Sequence, residues 1–172
     1  MPSSALRLEH EKFCGAVSRF VKRVGEKKAG VAVKKTALDL TRHTTRGTPM
    51  RTGRAAAGWW PFAVSQGAPM SVSGAGAARG FREGSYRSRL RGARPFVELV
   101  NSVPYIMPLE EGAGPHVIRA RRAKALRFFW RGRICFAKSV RHPGMRGYHA
   151  LRNGMSAVRR NLEAAFGGLV RP

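Results

Sequence analysis

Acidic residues are scarce in this sequence. Nine Asp and Glu stand against 33 Lys and Arg in 172 residues, a formal net charge of +24. Nine carboxylates cannot pair 33 cations, so most of the positive charge faces water, a polyanion or an acidic protein. Self-repulsion at this level opposes the compact state, and a partner that neutralises it adds stability. Cysteine is scarcer still. Cys14 and Cys135 sit in no CxxC or metal-ligand spacing, which excludes a disulfide framework and fits a reducing compartment. No apolar run approaches the roughly 18 residues of a membrane-spanning helix. The start, MPSSALRLEHEKF, has no apolar core and carries Glu9 and Glu11, so no secretory signal is expected.

Chemistry-bearing patterns are absent as well. There is no HExxH, HxxxH or GxSxG element, and the five histidines, His10, His43, His116, His142 and His149, follow no zinc-ligand spacing. Gly74, Gly76 and Gly80 lack the Lys-Ser/Thr of a phosphate loop and read as conformational freedom. The adjacent acids Glu110 and Glu111 point in different directions on a helical turn and read as a surface pair for a neighbouring subunit's arginine. Asp39, amid helical lysines, reads as an intrahelical ion-pair partner. No catalytic residue, metal ligand or cofactor site is expected, and the protein reads as a non-enzyme.

What is present is a foldable core. Hydrophobic residues make up 43% of the chain, with three Trp and nine Phe. That is enough for one domain, residues 1–172, and too much for wholesale disorder. Arginine outnumbers lysine 25 to 8, which favours bidentate contacts with phosphates and carboxylates.

Phe13, Val17, Phe20, Val24, Val31 and Leu38 recur at helical intervals, predicting one bent helix or two helices up to about residue 46. Gly25 and Gly30 are the weak points, and Thr48-Pro49 is the stop. Aromatic and branched residues predict a strand at 58–64, interrupted by Pro61. Residues 65–95, rich in Gly, Ser, Ala and Arg, read as a long mobile loop, an extended arm or a flexible hairpin.

Strand alternation returns at 95–103, a short helical turn ends at Gly112, and 126–140 reads as a β-hairpin turning at Arg131-Gly132. Residues 141–147 read as a loop around His-Pro-Gly. Leu151, Met155, Val158, Leu162 and Phe166 mark a last amphipathic helix ended by Gly167-Gly168. The expected fold class is α+β: long N-terminal and C-terminal helices packed on a small, mostly antiparallel β-sheet.

Two basic clusters are candidates for contact with DNA or with a neighbouring subunit. Arg79, Arg82, Arg87, Arg89, Arg91 and Arg94 crowd the 65–95 segment, with Phe81 and Tyr86 interleaved. Arg119, Arg121, Arg122, Lys124 and Arg127 form the second. Phosphate contact needs only such cations on a flexible scaffold, and aromatics among them offer stacking.

Three ordered stretches carry a family resemblance. They are Thr48-Pro-Met-Arg-Thr-Gly-Arg54 with Gly58-Trp59, Asn101-Ser-Val-Pro-Tyr105 with Leu109-Glu110-Glu-Gly112, and His142-Pro143-Gly144 before the last helix. Together, over residues 10–166, the set resembles the neck and tail-completion proteins at the head–tail junction of long-tailed bacteriophages. The matching residues have structural parts to play. Pro49 stops the helix, and Thr52 and Gly53 form a corner from which Arg54 reaches a carboxylate or carbonyl. Trp59 and Tyr105 anchor that corner, Pro104 stiffens a strand exit, and Gly112 ends a turn.

The resemblance implies a virion structural protein assembled in the host cytoplasm. It would form a homo-oligomeric ring, six-fold in preference to twelve-fold, between head-completion and tail-tube proteins. Arginine would line the DNA channel or meet the next subunit, and no membrane is involved. The Arg-rich segment and the extreme charge depart from the family pattern. A sequence-independent nucleic-acid-binding protein is the alternative.

Overall fold

The computed structural model describes residues 25–92, 94–121 and 123–166, together with Gly15, Val17 and Ser18. The order is α1 (Glu26–Gly47), α2 (Arg54–Ala57), α3 (Pro61–Ser65), α4 (Ala77–Glu83), β1 (Gly84–Arg89), β2 (Phe96–Asn101), α5 (Ile106–Glu111), β3 (Gly112–Ala113), β4 (His116–Arg119), β5 (Leu126–Trp130), β6 (Arg133–Ala137), β7 (Ser139–His142), β8 (Met145–Arg146) and α6 (Ala150–Phe166). The class is α+β, with the two long helices at the ends of the described chain. The strands form four antiparallel pairs, β1–β2, β3–β8, β4–β7 and β5–β6, rather than one sheet.

Helix α1 starts after Gly25, whose φ of 81° and ψ of 145° are not helical, while Gly15, Val17 and Ser18 are helical. The chain therefore breaks at Gly25, and the two-helix reading holds over one long helix. Thr48, at φ −85° and ψ 128°, ends α1 in extended backbone before Pro49, as the proline requires.

The buried stripe of α1 differs from the expected one. Val31 is 70% exposed, while Ala29, Val33, Ala37, Thr41 and Thr44 are buried. Small residues win because α1 runs antiparallel and close to α6. A Cβ on Gly47 would lie 3.2 Å from Ala150, and one on Gly154 would lie 2.7 Å from Thr44 Oγ1. Thr36 and Thr41 make the stripe tolerable by donating their hydroxyls to the carbonyls of Ala32 and Ala37, at 2.8 and 3.0 Å. Gly30 is a contact rather than a weak point: a Cβ there would lie 1.9 Å from the Leu90 carbonyl. Phe13, Phe20 and Val24 lie outside the described residues, as do Cys14 and Gly167-Gly168.

The expected strand at 58–64 is helical. Pro61 sits in the first turn of α3, where its missing N–H costs nothing. Trp59, Trp60 and Phe62 are buried, and they serve different clusters. Trp60 packs with Ala56, Ala57, Ala63, Val72 and Ala77. Trp59 packs with Ala55, Val103 and Ile106. The three alanines of α2 thus face both tryptophans, and only a helix spreads consecutive side chains around an axis in this way.

Residues 65–95 are also mostly ordered rather than a structureless arm. Helix α4 packs on α2 so closely that a Cβ on Gly80 would lie 1.9 Å from the Arg54 carbonyl. Strand β1 pairs with β2 over six residues, from Gly84↔Asn101 to Arg89↔Phe96. Of the expected alternatives, the hairpin is the nearest. Gly76 and Gly80 serve close packing, and only Gly74, at φ 120°, shows the conformational freedom expected of all three.

Candidate interaction surface: the corner and the arm

Thr52 to Gly58 of the first stretch meet Asn101 and Tyr105 of the second at one corner. Gly53, at φ 72°, occupies the left-handed region and caps α2, and a Cβ there would meet the Ser73 carbonyl at 2.3 Å. The Thr52 carbonyl accepts from Gly76 N–H at 2.8 Å, which ties the turn to the start of α4. Arg54 then reaches a carboxylate, as expected. Its Nε donates to Glu83 Oε2 at 2.6 Å and its Nη2 donates to Oε1. Arg79 Nε adds a donation to Glu83 Oε1 at 3.1 Å. The guanidinium lies 5.5 Å from the centroid of the Tyr105 ring. The hydrogen bond from Arg54 holds the Glu83 carboxyl below its usual range; burial opposes it, and Arg79 adds a lesser lowering.

Asn101 locks the other side of the corner. Its Nδ2 donates to the Ala55 carbonyl at 2.9 Å, and its Oδ1 accepts from Val103 N–H at 3.2 Å. The fit leaves no room for a side chain at position 58, where a Cβ would lie 2.4 Å from Asn101 Oδ1. Sequence reasoning did not single out Gly58 and Glu83 for these contacts. Arg54, its side chain 17% exposed, needs an acid, and Glu83 is one of only nine.

Glu110 and Glu111 both have partners within their own chain. Glu110 is 6% exposed, and its Oε1 accepts from the Arg152 backbone N–H at 3.0 Å in the first turn of α6, where a negative group is favoured. Glu111 pairs with the Arg152 guanidinium at 3.3 Å. The same turn is pinned by Tyr148 N–H donating to the Leu109 carbonyl at 2.8 Å and His149 N–H donating to the Glu110 carbonyl at 3.1 Å. Gly112 leaves α5 at φ 89°. Asp39 pairs with Arg42 at 3.5 Å within α1, as expected.

Beyond Gly112 the chain becomes an arm. The four pairings Gly112↔Arg146, His116↔His142, Leu126↔Ala137 and Trp130↔Arg133 follow one another along one antiparallel ribbon, with Ala120 N–H donating to the Lys138 carbonyl between the second and the third. It turns at Arg131 and Gly132, with φ 47° and 81°, the pattern of a two-residue type I′ turn. Among the described residues from Glu111 to His149, none is buried. The expected His-Pro-Gly loop lies in the returning strand near the root of this ribbon: His142 closes β7, and Gly144 N–H donates to His142 Nδ1 at 3.1 Å. The His142 ring stacks on His116, with centroids 5.0 Å apart.

The two basic clusters separate on this geometry. Arg87 donates to Glu98 across the β1–β2 ladder at 2.7 Å. Arg79 is held by Glu83, and Arg89 lies over the Phe96 ring at 5.6 Å, with its Nη2 donating to the Arg94 carbonyl at 3.5 Å. Arg82, Arg91 and Arg94 are exposed. Arg119, Arg121, Lys124 and Arg127 are exposed on the arm, and Arg122 lies outside the described residues. The arm, 112–146, carries ten Lys and Arg and no acid.

No protein-family model, curated protein or solved structure matches the chain. Among the described residues, no group of three or more His, Cys, Asp or Glu is placed to hold a metal ion, and no helix is long and apolar enough to cross a membrane.

Proposed function

We propose that this protein is a structural component of the head–tail junction of a long-tailed bacteriophage, a ring subunit between tail tube and head-completion proteins. The projecting arm carries this reading. A two-stranded ribbon with no buried residue is marginal on its own, and a subunit that hands such an element to an adjoining head-completion or tail-tube protein gains its stability on assembly. The Arg54–Glu83 corner and the Glu110 cap give the arm a rigid root, so that its direction is fixed before assembly. The work done is association through buried surface and charge complementarity, with no reaction.

A second reading, a sequence-independent nucleic-acid-binding protein outside any virion, is favoured by the arm's ten uncompensated cations. Light scattering in high salt, with and without a tail-tube protein, separates the two. The first reading expects a closed ring, six-fold in preference to twelve-fold, without nucleic acid. A chain that stays monomeric with the tail protein and assembles only on DNA contradicts it.

A further inference from the structure

The tip of the arm is apolar on both faces. Leu126, Phe128 and Trp130 stand across from Ala137, Cys135 and Arg133, while on the opposite face Arg127 and Phe129 stand across from Phe136 and Ile134. Phe129 is 72% exposed, Phe136 68%, Trp130 59% and Ile134 49%. Phe129, Ile134 and Phe136 share one face, and large exposed apolar side chains gathered in this way mark a binding site, with Arg127, Arg131, Arg133 and Lys138 nearby in the sequence.

Charge selects the occupant. A second copy of the chain offers little to the arm's cations, because most of its acids are engaged within their own chain. Asp39, Glu83, Glu98, Glu111 and Glu163 each pair with an arginine of their own chain, and Glu110 caps α6. Six of the chain's nine acids are engaged in this way, against ten cations on the arm alone. Duplex DNA would satisfy the cations and leave the rings bare, since its bases are stacked within the helix. An unpaired strand satisfies both, with phosphates on the arginines and bases on the rings.

The register suits that role. Phe129 and Phe136 are diagonal neighbours on one face, a relation that puts backbones roughly 7–8 Å apart. Two stacking steps of about 3.4 Å span a similar distance, so one base fits between the rings. Arg127, directly across from Phe136 on the same face, meets a flanking phosphate.

We propose that the arm tip, residues 126–137, is a stacking platform for single-stranded nucleic acid, without sequence preference. This holds or fails independently of ring formation. The test is titration of the full chain with oligothymidylate, the matching duplex, heparin and anionic phosphatidylglycerol vesicles. Binding is read by label anisotropy.

Wild type should bind oligothymidylate more tightly than the other three. Replacing both rings, Phe129→Ser with Phe136→Ser, should weaken that binding about ten-fold or more and leave duplex binding unchanged. Phe129→Tyr with Phe136→Tyr should retain it, which separates loss of stacking from loss of the hairpin. Equal affinity for duplex, heparin or vesicles overturns the proposal, as does a serine pair that binds like wild type or a tyrosine pair that fails like the serine pair. Light scattering on the same samples keeps the two readings apart. A monomer that binds the single strand contradicts the ring, and a ring that ignores the single strand contradicts the platform.

Discussion

Two arginine-rich ribbons leave the body of this protein, and they behave differently. In the β1–β2 ribbon, Arg87 faces Glu98 across the ladder, and Tyr86 meets the buried Phe62 ring edge-on with centroids 5.5 Å apart. Pro95 and Asn101 are buried at its ends and Val97 packs on α1. The 112–146 ribbon has no acid and no buried residue among those described. Arginine content alone therefore does not mark an interaction arm. What separates the two is whether carboxylates and a helix face await the ribbon within the same chain. Where they do, arginine is part of the fold; where they do not, it is left for a partner.

The contrast can be broken at matched positions. The largest expected effect is at Phe62, which is fully buried. Phe62→Ala should cost about 3–5 kcal/mol in a denaturant melt, whereas Phe129→Ala on the arm should stay within about 0.5 kcal/mol. Equal losses would mean that the arm is part of the cooperative fold.

Glycines offer the next comparison. Gly80→Ala drives a Cβ against the Arg54 carbonyl, and Gly114→Ala at the arm's root meets nothing within 4 Å. The first should destabilise by about 1–3 kcal/mol and the second should leave the melting temperature unchanged.

The corner has an acid limb that the arm lacks. Because Glu83 is held below its usual value, it stabilises the fold above the ordinary glutamate value of about 4.3. That contribution is lost as pH falls from there through its lower folded value. Glu83→Gln should melt earlier at neutral pH and show a shallower decline in acid. A decline as steep as wild type would place the acid sensitivity elsewhere.

The smallest effect is at the arm's turn. Arg131 holds φ 47°, which Asn tolerates better. Arg131→Asn should slow amide exchange at the tip by a few-fold at most and leave the body's melting temperature unaltered.

Much of this was legible in the sequence. The stop at Pro49, the Gly53–Arg54 corner, strand β2, the turn at Gly112, the Arg131-Gly132 hairpin and helix α6 follow from proline, glycine and periodicity. The misreadings share a cause, which is that small residues hide packing. The Ala-rich α2 and the Gly- and Ala-rich α4 carry no apolar period, yet Ala55, Ala56, Ala57, Ala77 and Gly80 are buried, with two backbones in contact at Gly80 and Arg54. Val31 looked like core and is not, because α1 meets α6 through Ala and Thr. Trp59, Trp60 and Phe62 suggested a strand by composition, and Pro61 was read as an interruption when it opens a helix. The site was half legible. The Arg119–Arg127 cluster was visible as charge, but its place on a projecting ribbon depends on the pairing of residues up to 34 apart, Gly112 with Arg146.

Amide hydrogen exchange on the isolated full-length chain in high salt tests the central claim most directly, by comparing residues 84–101 with residues 116–142. The account predicts that β1–β2 is protected to near the global stability, and that the arm exchanges far faster until a partner is added. An arm as protected as β1–β2 in the isolated chain would contradict it.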